Sequence, residues 1–161
     1  MEKGKYERNW FSKIDIYRRP GELYLTRYVL FRTKFLSAYI HCFHISDYPI
    51  PHDHPGNFFS FPITKGYLEH LPDGTVVDRK PFHPKFRTGE EFHWVQLRPG
   101  TESKVWTFFM FFRRRREWGF LTKLGWVHNQ DYEHILDQEH QRYQNFLGVW
   151  ESESDASSTN L

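Results

Sequence analysis

His52 and His54 stand one residue apart in the segment Pro49-Ile50-Pro51-His52-Asp53-His54-Pro55. On an extended chain alternate side chains share a face, so both imidazoles point the same way. Two neutral imidazoles side by side can hold a divalent transition metal. The prolines at 49, 51 and 55 stiffen the backbone and lower the entropy lost when the ligands are fixed. A third ligand must come from another strand. In Glu91 to Leu97, alternation places Glu91, His93 and Val95 on one face. If that face looks into a barrel, His93 meets the pair and leaves coordination positions open for substrate or dioxygen. Alone, H-x-H is a weak signal in a chain of 10 histidines. The bland alternative is that these rings only hydrogen-bond within a Pro-rich loop.

The remaining histidines read differently. His41 and His44 have opposite strand parity, so at most one faces inward, either lining the pocket or, on the blander reading, as a hydrogen-bonded core residue. His70, His83 and His128 sit near turns, where exposure is expected. His134 and His140 are six apart on an expected helix and share no face. Cys42 is the single cysteine, so no internal disulfide forms; burial in a strand would raise its pKa and leave it inert. Arg113 to Arg116 reads as a strand end with ion pairs to Glu117 or an acidic tail; phosphate or nucleic-acid contact is the competing reading. Lys65, Arg79 and Arg98 are candidate substrate cations, and Trp106 and Phe59 candidate aromatic contacts. The run Val105 to Phe112 reads as core, with a stacking platform for a ring substrate as the sharper alternative. No nucleophile elbow, P-loop, dinucleotide fingerprint or C-x-x-C is present.

These residues must be positioned mainly by strands. The expected ones are Glu22 to Arg32, Ser37 to Ile45, Phe58 to Thr64, Tyr67 to Leu71, Thr75 to Arg79, Glu91 to Leu97, Lys104 to Phe112 and a last piece at Trp118-Gly119-Phe120. Turns fall at Pro20-Gly21, Lys65-Gly66, Pro72-Asp73-Gly74 and Arg98-Pro99-Gly100. Asn9 to Pro20 is mixed. Apolar residues at 132, 135, 136, 143 and 146 predict one helix over 131–146. Glu151 to Leu161 is acidic and Ser-rich, and disorder is expected. The chain therefore divides into a domain over 1–150 and a tail over 151–161. Its 161 residues suit one domain, and 16 Phe, 9 Tyr and 6 Trp supply a large core. The net charge of +2 argues against a dedicated phosphate-backbone binder, although residues 1–150 carry +5. No apolar run approaches the roughly 20 residues that span a bilayer, and Met1 to Arg8 has no secretory pattern. A soluble, cytoplasmic protein is expected.

At its histidines the chain resembles the cupins, small antiparallel β-barrels with two motifs. The first has H-x-H and a later glycine, here His52, His54 and Gly66. The second has a histidine after a glycine turn, here Gly89 and His93. The resemblance covers roughly residues 22–121. More narrowly, HDHPGNFFSFPITKGYLE, EFHWVQL, KVWTFF and RRREWGF are similar to a group of uncharacterised bacterial and phage cupins. The resemblance implies an all-β, double-stranded β-helix (jelly-roll) barrel, here with the added C-terminal helix. It also implies a metal site on His52, His54 and His93. The usual carboxylate of the first motif falls on Phe59, so the ligand set resembles the three histidines of thiol dioxygenases. Glu69 and Glu91 are the candidate replacement carboxylates. Three neutral ligands leave the ion's charge to be met by substrate, which favours a small anionic, metal-coordinating molecule. The expected metal is Fe(II), with Zn, Mn, Ni and Cu as alternatives, and the expected activity is that of a dioxygenase-type oxidoreductase. Two other functions stay open: a non-catalytic small-molecule binder or sensor, and a nucleic-acid-associated phage or host protein using the arginine run. A homodimer is an open alternative to the monomer.

Overall fold

The computed structural model describes residues 10–98, 104–123 and 125–132. They form eleven strands: β1 Ser12–Arg19, β2 Glu22–Arg32, β3 Leu36–Phe43, β4 Phe58–Pro62, β5 Tyr67–His70, β6 Val76–Arg79, β7 Lys85–Arg87, β8 Trp94–Gln96, β9 Val105–Phe112, β10 Gly119–Thr122 and β11 Gly125–His128. All named pairings are antiparallel. The larger sheet runs β1-β2-β3-β9-β4-β7, and a smaller one runs β6-β5-β8 beside the β10-β11 hairpin.

His52 joins the last two pieces. It makes single-residue bridges to His93, just before β8, and to Phe120 on β10. The two layers enclose a cavity of about 690 Å³. Alternation decides what enters it. On β9, Thr107, Phe109 and Phe111 face the cavity, whereas Trp106, Phe108 and Met110 face the outside of the large sheet. Tyr28 on β2 stacks on Trp106 across that outer face, with ring centroids 5.6 Å apart. Tyr67, Val95 and Val105 close one end as a buried cluster, with Phe43 and Leu97 packed against it.

The expected strands are present with shifted ends, and three more appear. β1 lies in the stretch read as mixed. Its Lys13, Asp15 and Tyr17 are exposed while Ile14 and Ile16 are partly buried, so its alternation is real but diluted by charge. β7 and β11 are short pieces ordered by their neighbours. The sheet system therefore reaches from Ser12 to His128, beyond the 22–121 span of the resemblance. The helix expected over 131–146, with His134 and His140, lies outside the described residues beyond Tyr132. The tail over 151–161 lies outside them as well. Among the described residues, no helix is long and apolar enough to cross a membrane.

Candidate metal centre

Backbone pairing builds the centre. His52 N–H donates to His93 O at 2.9 Å, and His93 N–H returns a bond to His52 O at 3.1 Å. Leu121 N–H donates to Pro51 O at 2.8 Å, and Asp53 N–H to Gly119 O at 3.0 Å. His54 N–H then reaches Gly89 O at 3.0 Å. The segment 51–54 is thus an extended bridge between His93 and β10, and its alternation sends His52 and His54 the same way. The two rings lie 5.1 Å apart, and the His93 ring is 5.3 Å from His52 and 5.1 Å from His54. One ligating nitrogen from each lies within 4.8 Å of the others.

Asp53 points the opposite way and is fully buried. It accepts Gly119 N–H at 2.7 Å and Trp126 Nε1–H at 3.2 Å, and pairs with Arg116 at 2.7 Å. This anchor ties the H-x-H segment to the β10-β11 hairpin. Strand alternation alone puts Asp53 on the face away from the two histidines.

Glu69 of β5 stands behind His93. Its Oε1 accepts His93 Nδ1–H at 2.6 Å, while Oε2 is held by Arg79 Nε at 2.6 Å and Arg87 at 2.7 Å. Burial works against its charge, but the His93 hydrogen bond and Arg87 outweigh it and hold the carboxyl well below the usual range. With Nδ1–H committed to Glu69, His93 Nε2 keeps its lone pair for the centre. That nitrogen lies 2.8 Å from His54 Nε2. Two lone pairs at this spacing repel unless a proton or a cation sits between them. Ligands at right angles, each about 2.1 Å from one ion, stand about 3 Å apart. Burial pushes His52 down to about 4 and His54 well below its ordinary value, so both are neutral donors at neutral pH. The donor set fits a divalent transition metal with positions left open toward the cavity.

The expected replacement carboxylates do not join this set. Both Glu69 oxygens are spent on His93 and the two arginines. Glu91 turns back to Thr88 N–H at 2.6 Å and to Arg87 at 3.3 Å. Phe59 needs a correction too: it packs on the outer face with Phe61 and Phe108, whereas Phe58 turns inward, 4.4 Å from the His54 ring.

None of the expected substrate contacts lines the cavity. Arg79 is held by Glu69, and Arg98 pairs with Asp78. Lys65 occupies an exposed turn with φ of 54°, and Trp106 and Phe59 face outward. The residues that do line it include His41, Arg27, Asp47, Phe109 and Trp118. Arg27 was legible as the lone cation on the β2 face that carries Leu25 and Val29. Of the arginine run, Arg116 is taken by Asp53 and Arg114 by Glu117, and Arg113 and Arg114 stand at the cavity rim. His44 turns outward to Thr26, as parity required, while His41 turns in. Cys42 is buried, and burial raises its thiol pKa.

No family model matches the chain, and no curated protein matches it either. Solved structures do. A Klebsiella pneumoniae protein described as having a double-stranded β-helix domain superposes at a TM-score of 0.51 and 17% identity, over 66% of this chain and 92% of that one. The fold is a cupin-like double-stranded β-helix. The iron(II) form of HppE superposes at a TM-score of 0.54 and 15% identity, over 70% of this chain. This chain spans 62% of that HppE chain, and 57% of a second HppE structure that contains substrate.

Proposed function

We propose that this cupin barrel is a metal-dependent enzyme of the Fe(II) dioxygenase type, acting on a small anionic molecule that coordinates the metal. One observation carries the reading: three imidazoles converge on an open cavity with, among the described residues, no carboxylate in the ligating group. The iron named for HppE is consistent with it. When bound, iron would supply a Lewis-acidic, redox-active centre with positions free for substrate and dioxygen. The chain's own residues supply the rest. His52, His54 and His93 would hold the metal, and Glu69 fixes the proton of His93 on Nδ1. Phe58, Phe109 and Trp118 form an apolar wall that limits water around the centre. With no anionic ligand among the described residues, charge balance falls to the substrate.

The test is metal analysis of freshly purified protein, followed by dioxygen uptake with added iron and a panel of small thiols and carboxylates. Near-stoichiometric metal is expected in the wild type. It should be lost in His52→Ala, His54→Ala and His93→Ala, and retained in His83→Ala, whose exposed residue lies outside the trio. Absence of binding at micromolar metal would sink the reading. Stoichiometric metal without dioxygen uptake across the panel would replace the enzyme with a metal-dependent binder.

A further inference from the structure

Arg27 lines the cavity from β2. Its Nε–H donates to His41 Nε2 at 3.0 Å, and its guanidinium carbon lies 4.9 Å from the Tyr39 ring centroid. Arg32 approaches the same ring at 5.8 Å and reaches the Tyr39 hydroxyl at 3.4 Å. Four other half-buried or buried arginines are neutralised: Arg79 and Arg87 by Glu69, Arg18 by Glu22, Arg116 by Asp53. Among the described residues no carboxylate pairs with Arg27 or Arg32. Asp47 is the one acid lining the cavity, and its oxygens accept from the Tyr24 hydroxyl and from Val95 N–H. His41 supplies no counter-charge: burial and then Arg27 hold it well below its ordinary pKa, so it is a neutral acceptor for Arg27 Nε–H. Burial also lowers the Arg27 pKa, and the like charge of Arg32 works in the same direction. A half-buried cation in such surroundings is costly until an anion completes it.

The position matters as much as the charge. The His41 ring stacks on Phe109 at 4.9 Å, and Phe109 in turn lies 6.4 Å from the His54 ring. One phenyl ring therefore separates the Arg27–His41 pair from the three-histidine centre, within the same cavity. With Nε fixed by His41, the outer two guanidinium nitrogens form the planar fork that grips two oxygens of one anionic group.

We propose that Arg27, supported by Arg32, is an oxyanion-binding subsite, so that the substrate is bifunctional. One end would coordinate the metal. The other carries a carboxylate, sulfonate or phosphate-type group held by Arg27, with a short apolar spacer along Phe109. The bifunctional part rests on the metal-centre reading above; the anion subsite stands without it.

Two measurements separate those claims. Metal-free protein is titrated with inorganic phosphate and, separately, with acetate, using calorimetry. Binding of at least one is expected, and the stronger arm names the preferred oxyanion. Arg27→Met should weaken that binding at least about tenfold, and Arg27→Lys should recover part of it through charge without the fork. In the second measurement, Co(II)-loaded protein is titrated with succinate and with propionate while the visible spectrum is followed. Succinate should bind more tightly in the wild type, and Arg27→Met should erase the difference while leaving Co(II) uptake unchanged. Equal anion affinity in wild type and Arg27→Met overturns the subsite, as does a succinate preference that survives the substitution. Failure to take up Co(II) with phosphate binding intact overturns the metal centre and leaves the subsite standing. Should Arg27→Met fail to fold by circular dichroism, Arg27→Gln takes its place against the same criteria.

Discussion

Glu69 decides how firmly the centre is held, although it is not a ligand. It spends one oxygen on His93 and the other on two arginines, and its side chain is 2% exposed. Glu69→Gln should therefore act in two ways. Metal affinity falls roughly 10–100-fold, because the amide no longer holds the His93 proton as firmly. Stability falls on the order of 3–5 kcal/mol, because half-buried Arg79 loses its counter-charge and buried Arg87 keeps only Glu91 at 3.3 Å. Equilibrium dialysis and urea melts read the two effects separately. Complete loss of metal, matching His93→Ala, would instead make Glu69 a ligand. The three histidines themselves were legible, since H-x-H parity and the Glu91-His93-Val95 face are local properties of strands. Their supporting shell was not. Asp53 and Glu69 take their roles from partners on other strands, Asp53 across 66 and 73 residues and Glu69 across 24 to His93, and spacing within one segment cannot reveal those partners.

At the scale of elements, turn glycines hold the β5 edge in register. Gly66 has φ of +72°, and a Cβ there would lie 2.0 Å from Arg79 O. That carbonyl belongs to the β5–β6 pair at Tyr67↔Arg79, so it cannot retreat without pulling Arg79 from Glu69. Gly74 also has positive φ, +85°, but nothing lies within 4 Å of its Cβ position. Gly66→Ala should cost more than 3 kcal/mol by denaturant unfolding, order-of-magnitude, and Gly74→Ala about 1–2 kcal/mol, from strain alone. Equal costs would show that the close approach at Gly66 relaxes freely. Most strands could be read from aromatic and β-branched runs between such turns. β1 could not, because Lys13, Asp15 and two arginines mask its apolar alternation. β7 and β11 have three and four residues, too few for a period to show.

The whole molecule carries a pH signature set by buried neutral histidines. His41 and His54 are held well below 6.5, and His52 at about 4, chiefly by burial. Below 6.5 the unfolded chain binds protons that the folded one refuses. Stability from these groups is thus complete above pH 6.5 and falls as the pH drops toward 4. Each such histidine contributes about 1.4 kcal/mol per pH unit in that window. Glu69, with its carboxyl depressed, adds a further loss only below its ordinary 4.5. Metal-free protein should show a flat unfolding free energy between pH 7 and 8 and a steep fall between 6.5 and 5. A profile that stays flat to pH 5 would mean that these rings are protonated in the folded state.

The anchor at Asp53 also sets an order of events in the making of the protein. Asp53 is joined to Gly119 and Trp126 across separations of 66 and 73 residues, and His52 pairs with both His93 and Phe120. Chain emerging from a ribosome presents His52 and His54 long before the strand that must flank them exists. Until β10 and β11 have been synthesised, the H-x-H segment has a partner on one side at most. Long loops must close before those contacts form, which places this region among the slower parts of the fold to assemble. A nascent chain stalled after β9 would display an H-x-H segment paired on the His93 side alone.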